Sequence, residues 1–265
     1  MIFYKNHICF LEGAYVVEIP SNADERLQIV FLGDSSLSVI VGENASLDLI
    51  ESHISFNEAA AVIDSKVDIQ IGKNAKMNYI KIIDINPESK FRGSEKINQN
   101  KDSYLKNHLF ALNGKNNSID LKATLNGENA EIHLYGLMIG DGERIVDVKT
   151  EITHNQSCTK SRQDFRAIAD DRALCGYEGE IIVKKGTIKS EAYQLNKNIL
   201  LSNKATIRSK PRLKIFADDV KCSHGATTGG IDKNALFYLK SRGINEKSAR
   251  ELLVDSFISE IIQKI

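Results

Sequence analysis

The sequence predicts a mainly β protein, either a β solenoid or a β sandwich, followed by a C-terminal helical segment. Through roughly the first two hundred residues, short apolar or β-branched runs alternate with Gly, Asn and Asp. One turn phrase recurs among these runs, and after Gly230 the pattern changes to helical periodicity. These observations favour repeated β units over an α/β fold, and at this level the solenoid and the sandwich both stay open.

The predicted strands are apolar or β-branched runs bounded by turn residues. Clear examples are Leu27 to Leu32, Leu37 to Val41, Leu47 to Ile50 and Val67 to Ile71. The stretch Pro87 to Asp102 is instead rich in Lys, Ser, Asn and Glu. We therefore expect an exposed loop or strand connection there.

The recurring turn phrase has the form Gly-x-Asn-Ala followed by an alternating strand. It occurs at Gly42 to Leu47, Gly72 to Met77 and Gly127 to Ile132, with an echo lacking the glycine at Asn203 to Ile207. Gly and Asn both tolerate positive φ, so each phrase predicts a tight turn directly before a strand. The intervals between phrases are irregular, which argues against a strict sequence repeat.

Two helices are predicted at the C-terminus. Asp232 can cap a first helix that runs to about Ser241, and Gly243 stands where a helix commonly ends. Asn245 can cap a second helix, whose apolar residues recur at three- and four-residue intervals: Ala249, Leu252, Leu253, Phe257, Ile261 and Ile265. This stripe predicts packing on the β body or, in part, against a partner protein, and both interpretations stay open.

Composition excludes several classes of function. The 265 residues carry 35 basic and 35 acidic side chains, so we expect neither a nucleic-acid partner nor a membrane partner. No apolar run of about 18 residues and no secretory signal occurs, which predicts a soluble protein. The four cysteines, Cys9, Cys158, Cys175 and Cys222, lack any Cys-x-x-Cys spacing, and we expect free thiols in a reducing compartment.

Candidate chemistry concentrates on Cys222 and His224, which lie two positions apart before a glycine-rich turn. On a strand, such residues project to the same face, and thiolate plus imidazole suits iron or zinc. Two donors make about half of a four-coordinate site, so the remaining donors would come from elsewhere, a second chain above all. A buried structural pair and an activated Cys–His nucleophile stay open as alternatives.

Other catalytic devices are weakly represented. The sequence has no Gly-x-x-x-x-Gly-Lys-Ser/Thr phosphate loop, so we do not expect the chain to hydrolyse ATP. His154 precedes Ser157, Cys158 and Asp164, but no nucleophile-elbow motif accompanies it. We expect His154 to be a hydrogen-bonded structural residue.

Five segments between about Val146 and Ile262 match a known family: Glu151 to Gln163, Gly179 to Val183, Asn198 to Ser202, Lys210 to Gly229 and Leu236 to Gly243. Through them the chain resembles the SufB/SufD family of iron–sulfur cluster assembly proteins, and within it the SufD branch. SufB relatives carry a Glu-rich phrase in place of Lys-Cys-Ser-His, which this chain has at Lys221 to His224.

The resemblance implies a right-handed parallel β-helix with a C-terminal helical segment. We accordingly expect a β-helix core over residues 1–215, and a segment over 216–265 that carries the metal motif and the helical hairpin. The implied role is a non-catalytic scaffold subunit that acts with SufB and the ATPase SufC to build iron–sulfur clusters and pass them to apo-proteins. The implied location is the cytoplasm, or the plastid stroma for an organellar protein.

The resemblance also implies roles for individual residues. His224 would be an iron ligand at the interface with SufB and Cys222 its neighbour, sharing a transient cluster or iron ion, with no cofactor bound permanently. The residues implied for docking SufC are Leu236, Phe237, Leu252, Leu253, Phe257 and Ile261. Pairing with a second copy of the chain stays open. The alternative functions are a β-solenoid enzyme acting on polysaccharide, which an acidic groove would support, and a Cys/His thiol enzyme.

Overall fold

The structure is a computed structural model that describes residues 8–55 and 59–265, with side chains from residue 13 onward. This part of the chain forms fifteen strands and two helices. The strands are β1 (Ile8–Ile19), β2 (Asp24–Val41), β3 (Ser46–Ile54), β4 (Val62–Ile71), β5 (Lys76–Asp84), β6 (Lys90–Gln99), β7 (Tyr104–Asn113), β8 (Asn116–Leu125), β9 (Glu131–Gly140), β10 (Ile145–His154), β11 (Lys160–Ala169), β12 (Leu174–Val183), β13 (Ser190–Leu200), β14 (Thr206–Ile215) and β15 (Val220–Gly229). The helices are α1 (Lys233–Ser241) and α2 (Glu246–Ile262).

The strands form a parallel β solenoid of about seven turns, which confirms the predicted fold class. From β3 onward each strand pairs in parallel with the strand two positions further along the chain, so even-numbered and odd-numbered strands build two separate stacks. The long strand β2 joins them, because its first half pairs with β3 and its second half with β4. Every turn of the chain thus contributes one strand to each stack.

Alternate side chains of both stacks fill the interior. Strand β6 shows the pattern clearly, because Phe91, Gly93, Glu95, Ile97 and Gln99 are buried while the residues between them face outward. The prediction of an exposed loop from Pro87 to Asp102 is therefore wrong. Its polar residues mislead because the solenoid interior itself accepts polar groups, as Glu95 and Gln99 show.

The predicted turn phrases form one corner of the solenoid. Asn44, Asn74 and Asn129 have φ values of 56°, 55° and 59°, as predicted for turn residues before a strand. The Asn74 side-chain amide donates to the Asn44 side-chain oxygen Oδ1 at 2.9 Å, so the corner is also a hydrogen-bonded ladder. The longer interval before Gly127 contains one further turn, in which Asp102 takes the same left-handed conformation, with φ 58°. The echo at Asn203 does not show this positive φ.

The interior also holds a group of charged side chains. The Lys81 ammonium lies 3.3 Å from the Glu51 carboxylate and 3.1 Å from that of Glu95, and all three side chains are buried. Glu51 also accepts hydrogen bonds from the Tyr79 hydroxyl and pairs with His53 at 2.7 Å. Burial opposes ionisation of Glu51, but Lys81 and these partners outweigh it and lower its pKa to about 2. This cluster is structural, because it is enclosed between stacked turns.

Both predicted helices are present with the predicted caps. The Asp232 carboxylate accepts hydrogen bonds from the backbone N–H groups of Asn234 and Ala235, and Asn245 accepts one from Ser248. Gly243 between the helices has φ 87°, the conformation that ends a helix. Neither helix in the described residues combines the length and apolar character needed to cross a membrane.

Helix α2 lies against the outer face of the odd-numbered stack. Its Val254, Phe257, Ile258 and Ile261 pack on outward-facing apolar residues of several strands: Ile80, Ile82, Phe110, Leu112, Tyr135, Leu137, Ile139 and Ile168. The interpretation that the apolar stripe packs on the β body is therefore confirmed for this side of α2.

A single buried arginine anchors α2 to the sheet. Arg166 of β11 is 2% exposed, and its guanidinium donates to the Phe257 carbonyl oxygen at 2.8 Å and to the Glu260 carboxylate. The guanidinium also lies 4.9 Å from the centre of the Phe257 ring. Asp164 of the same strand is 3.5 Å away and supplies a buried counter-charge.

Candidate functional site

The candidate site lies where the solenoid ends, at the turn formed by β14 and β15, which we call the terminal turn. Among the strands of the described residues, β14 pairs only with β12 and β15 only with β13. Its inward-facing apolar residues, Leu213, Ile215 and Val220, are consequently only half-buried. Phe216, at the corner between the two strands, is 60% exposed. The terminal turn therefore presents a partly apolar interior and two strand edges.

Both predicted metal ligands lie on β15 and face this interior. Cys222 is in register with Ala192 and His224 with Gln194, and both of these β13 residues are buried inward-facing ones. Further along the strand, Thr228 accepts a hydrogen bond from buried Asn198 at 3.1 Å, which shows the same inward direction. His224 is exposed because no further strand covers it.

The boundary predicted at residue 216, between the β-helix core and the C-terminal segment, falls between β14 and β15 of the terminal turn. Strand β15 follows that boundary in sequence, yet it pairs with β13 over ten consecutive residues as the last strand of its stack. The motif thus sits on solenoid structure, and the helical segment begins after Gly229.

The two predicted ligands differ in environment. Cys222 is a half-buried free thiol that packs against the buried cluster of Ile181, Val183 and Ala192. This burial raises the pKa of its thiol, although a hydrogen bond with the Ala192 backbone opposes the shift. Across the residues that the structure describes, no three His, Cys, Asp or Glu side chains converge as a metal site. The motif alone can offer at most two donors to a metal.

A hydrogen-bonded polar chain leads from deeper turns to the terminal turn. The Thr150 and Tyr177 hydroxyls donate to the Gln163 side-chain oxygen at 2.6 and 2.9 Å, and the Gln194 amide donates to Tyr177 at 3.0 Å. These residues lie on four consecutive strands, β10 to β13, in two turns of the solenoid, and the sequence analysis missed them. Only the register between β13 and β15 shows that the chain ends directly beside His224.

The predicted docking residues on the helices fall into two groups. Ile261 is buried and Phe257 half-buried against the solenoid. Phe237 is 73% and Leu252 48% exposed, whereas Leu236 and Leu253 are half-buried. Tyr238, which the sequence analysis did not single out, is 57% exposed beside Phe237. Together Phe237, Tyr238 and Leu252 form an exposed apolar set, here called the helix patch.

The remaining cysteines and His154 lie away from the terminal turn's edge. Cys175 is a buried free thiol whose pKa burial raises to about 12, and Cys158 is a half-buried one in a corner with φ 60°. Cys9 lies outside the residues whose side chains are described. His154 is buried and shares hydrogen bonds with Thr159 at 2.7 Å and Ser161 at 2.8 Å, which confirms its structural role.

Comparison with known proteins identifies the family. The family model described as SUF system FeS cluster assembly, SufBD core domain, matches residues 31–257. The chain belongs to the SufBD core family. The match extends across the solenoid and into α2, so the SufBD core includes both the terminal turn and α1.

Individual relatives agree with this assignment. Iron–sulfur cluster assembly protein SufD of Escherichia coli is 32% identical over 225 residues, which cover 85% of this chain and 53% of that protein. A SufBD family protein of Synechocystis is 32% identical over 283 residues, covering 100% of this chain and 62% of the relative. The protein ABCI7, chloroplastic, of Arabidopsis thaliana is 26% identical and is covered to 56%. The prediction of a SufD-like SufBD core is confirmed, and the chain spans about half to three fifths of these relatives' lengths.

Proposed function

We propose that this protein is a non-catalytic scaffold subunit of a SufBCD-type complex that assembles iron–sulfur clusters and transfers them to apo-proteins. The observation that carries the proposal is the placement of Cys222 and His224 on the inward face of an uncovered terminal turn. Membership in a family concerned with iron–sulfur cluster assembly supplies the chemistry. The proposed location is the cytoplasm, with the plastid stroma as the alternative that the chloroplastic Arabidopsis relative supports.

The terminal turn is the proposed interface with a SufB-like subunit. Strands β14 and β15 each have one edge without a paired strand, and such edges present backbone N–H and C=O groups to another chain. The half-buried Leu213 and Ile215 and the exposed Phe216 would become covered in such a contact. Burial of this apolar surface favours association. A second copy of the chain could use the same edges, so a homodimer is the competing assembly.

The proposed site is shared across that interface. Cys222 and His224 provide two donors, and the SufB-like subunit would provide the rest of the coordination shell of a transient cluster or iron ion. Ligands divided between two chains allow movement of a third protein, the ATPase, to open or close the site. A site assembled in this way releases its cargo more readily than a cage within one chain.

The helix patch is the proposed docking surface for a SufC-like ATPase. Phe237, Tyr238 and Leu252 expose apolar area that the solenoid does not use. Phe257 and Ile261, which were predicted for the same role, pack against the sheet, so in this proposal they hold α2 in position. The half-buried Leu236 and Leu253 would contribute the exposed parts of their side chains to this docking surface.

Two observations weigh against the alternative functions. The groove beside the glycine-rich corner contains Glu43 as its acidic residue together with Lys73 and Lys101, which does not resemble the acidic cleft expected of a polysaccharide enzyme. The raised pKa of the Cys222 thiol disfavours the thiolate that a thiol enzyme needs.

The test is reconstitution of the complex with SufB-like and SufC-like partners. We expect His224→Ala to lower the cluster content while all three proteins still co-purify. The matched control is Ser223→Ala, which changes an exposed neighbour on the opposite face of β15 and should leave cluster content unchanged. Loss of the complex in His224→Ala would instead assign His224 a structural role.

A crossed pair of variants tests the two interfaces. Phe216→Asp places a charge on the terminal turn and should abolish SufB pairing while sparing ATPase recruitment. Phe237→Asp places the same charge on the helix patch and should have the opposite effect. If both variants lose the same partner, or neither loses one, the assignment of separate interfaces is wrong.

A further inference from the structure

The amide of Gln194 makes a hydrogen bond through its nitrogen, whereas its oxygen stands out as a buried acceptor. The side chain is 3% exposed and its Nε2 donates to the Tyr177 hydroxyl at 3.0 Å. Its Oε1 is buried and has no hydrogen-bond partner in the part of the chain that the structure describes. A buried acceptor left unpaired has lost its hydration without gaining a replacement, so such a group calls for a physical explanation.

The surrounding residues fix the orientation of this amide. The Tyr177 hydroxyl donates to the Gln163 side-chain oxygen at 2.9 Å, so its own oxygen is left to accept from Gln194. Gly179 keeps the space open, because a Cβ atom there would lie 1.7 Å from the Gln194 Nε2. Tyr177 holds the amide at Nε2, so Oε1 is the amide atom that is left without a partner among the described residues.

The residue beside Gln194 in the next turn is His224. The two are paired in register between β13 and β15, and both lie on the inward face. Neighbouring strands are about 4.8 Å apart, so the imidazole and the amide of paired inward residues are within reach of one another through a side-chain rotation. An imidazole N–H is the kind of donor that the free Oε1 lacks.

We infer that Gln194 is a positioning residue for His224: its Oε1 accepts one imidazole N–H, which fixes the ring tautomer and leaves the other ring nitrogen available to a ligand at the terminal turn. This inference rests on the proposed function, in which His224 is a metal ligand. Residues that hold the second nitrogen of a ligating histidine orient the ring and raise its basicity. The Thr150–Gln163–Tyr177 chain would then serve to keep Gln194 in place.

The inference is tested by observing the His224 ring directly. Long-range proton–nitrogen NMR spectra of the full chain at mildly alkaline pH report which ring nitrogen carries the proton, and His224→Ala identifies the resonances. We expect one tautomer to exceed the other about fivefold or more, as one hydrogen bond allows. Gln194→Met, which keeps the bulk but removes the acceptor, should return the ratio toward that of a histidine side chain in an unstructured peptide.

Three further variants keep the test decisive if Gln194→Met perturbs packing. Tyr177→Phe leaves Gln194 in place but frees its amide, and should also weaken the tautomer preference. Gln99→Met removes another buried glutamine with an unpartnered Oε1, far from His224 in the sequence, and should change nothing. Ser209→Ala removes an unpartnered hydroxyl of the terminal turn. An unchanged ratio in Gln194→Met, or a change caused by Ser209→Ala instead, would overturn the inference.

A metal titration separates this inference from the proposed function. In the complex with a SufB-like subunit, we expect Gln194→Met to weaken Co²⁺ binding about tenfold and His224→Ala to weaken it further. If Gln194→Met changes the tautomer but His224→Ala leaves Co²⁺ binding unchanged, the positioning contact stands and the ligand role of His224 fails. If His224→Ala weakens binding but Gln194→Met affects neither the tautomer nor Co²⁺ binding, the positioning role fails alone.

Discussion

Replacing Arg166 by Met should release helix α2 from the solenoid. Methionine keeps much of the side-chain length but removes the charge and all donors. Three contacts are lost: the hydrogen bond to the Phe257 carbonyl at 2.8 Å, the ion pair with Glu260, and the counter-charge to Asp164 at 3.5 Å. All three depend on one guanidinium, so the substitution tests how firmly α2 is held.

The environments of the three partners set the expected magnitude. The charged hydrogen bond to the Phe257 carbonyl is worth about 1.5–3 kcal/mol. The Glu260 side chain is 55% exposed, so its ion pair contributes less than about 1 kcal/mol. Asp164 would keep a largely buried carboxylate without its counter-charge. Removing one member of a buried charge pair typically costs about 3–5 kcal/mol, and we expect Arg166→Met to fall in that range.

Urea unfolding and hydrogen exchange provide the assay. We expect a lower free energy of unfolding and, under native conditions, faster amide exchange in α2 than in the interior strands. Glu260→Gln is the matched control, because it removes only the exposed ion pairs of Glu260 with Arg166 and Lys197 and should cost less than about 1 kcal/mol. A loss below about 1 kcal/mol in Arg166→Met, with α2 protection unchanged, would refute this account of how the helix is anchored.

Two further predictions concern the solenoid itself. Burial lowers the pKa of His154 to about 4, from an ordinary value of 6.5. The neutral imidazole therefore contributes stability that is fully present above pH 6.5 and is lost as the pH falls from about 6.5 to 4. The loss amounts to about 3 kcal/mol of unfolding free energy. His154→Gln should flatten the pH dependence of the unfolding free energy over that window, and an unaltered slope would contradict the assignment. Gly127→Ala should cost more than about 3 kcal/mol, because the new Cβ would lie 1.8 Å from the Lys101 backbone nitrogen. Gly142→Ala meets no atom within 4 Å and only strains a φ of 58°, so a loss of about 1 kcal/mol is expected, and equal losses by thermal unfolding would contradict the steric argument.

Local signals in the sequence predict the turns and helices well because the conformation of each turn or helix end depends on a few neighbouring residues. Asn44 and Asn74 adopt the left-handed conformation that their phrase predicts, and Asp232 and Asn245 cap the predicted helices. Strand β6 was missed because its inward positions include Glu95 and Gln99. Their burial depends on partners in other turns, Lys81 in the case of Glu95, and no local pattern shows that pairing.

The sequence likewise predicts only those parts of the candidate site that local signals carry. Cys222 and His224 stand out in the sequence by their chemistry and their spacing. Gln194 does not, because its relation to His224 is a register between two strands separated by a corner of the solenoid. Nor does the sequence show which side of α2 is covered, since Phe257 and Leu252 belong to one apolar stripe but differ in exposure.

The position of α2 has a consequence for how the protein unfolds. In a solenoid each turn contacts only its neighbours, so unfolding can proceed rung by rung from an end. Helix α2 packs into one apolar cluster whose members come from four strands of one stack, from Ile80 in β5 to Ile168 in β11. It therefore links these turns to one another, and we expect them to unfold together in one cooperative step rather than one at a time.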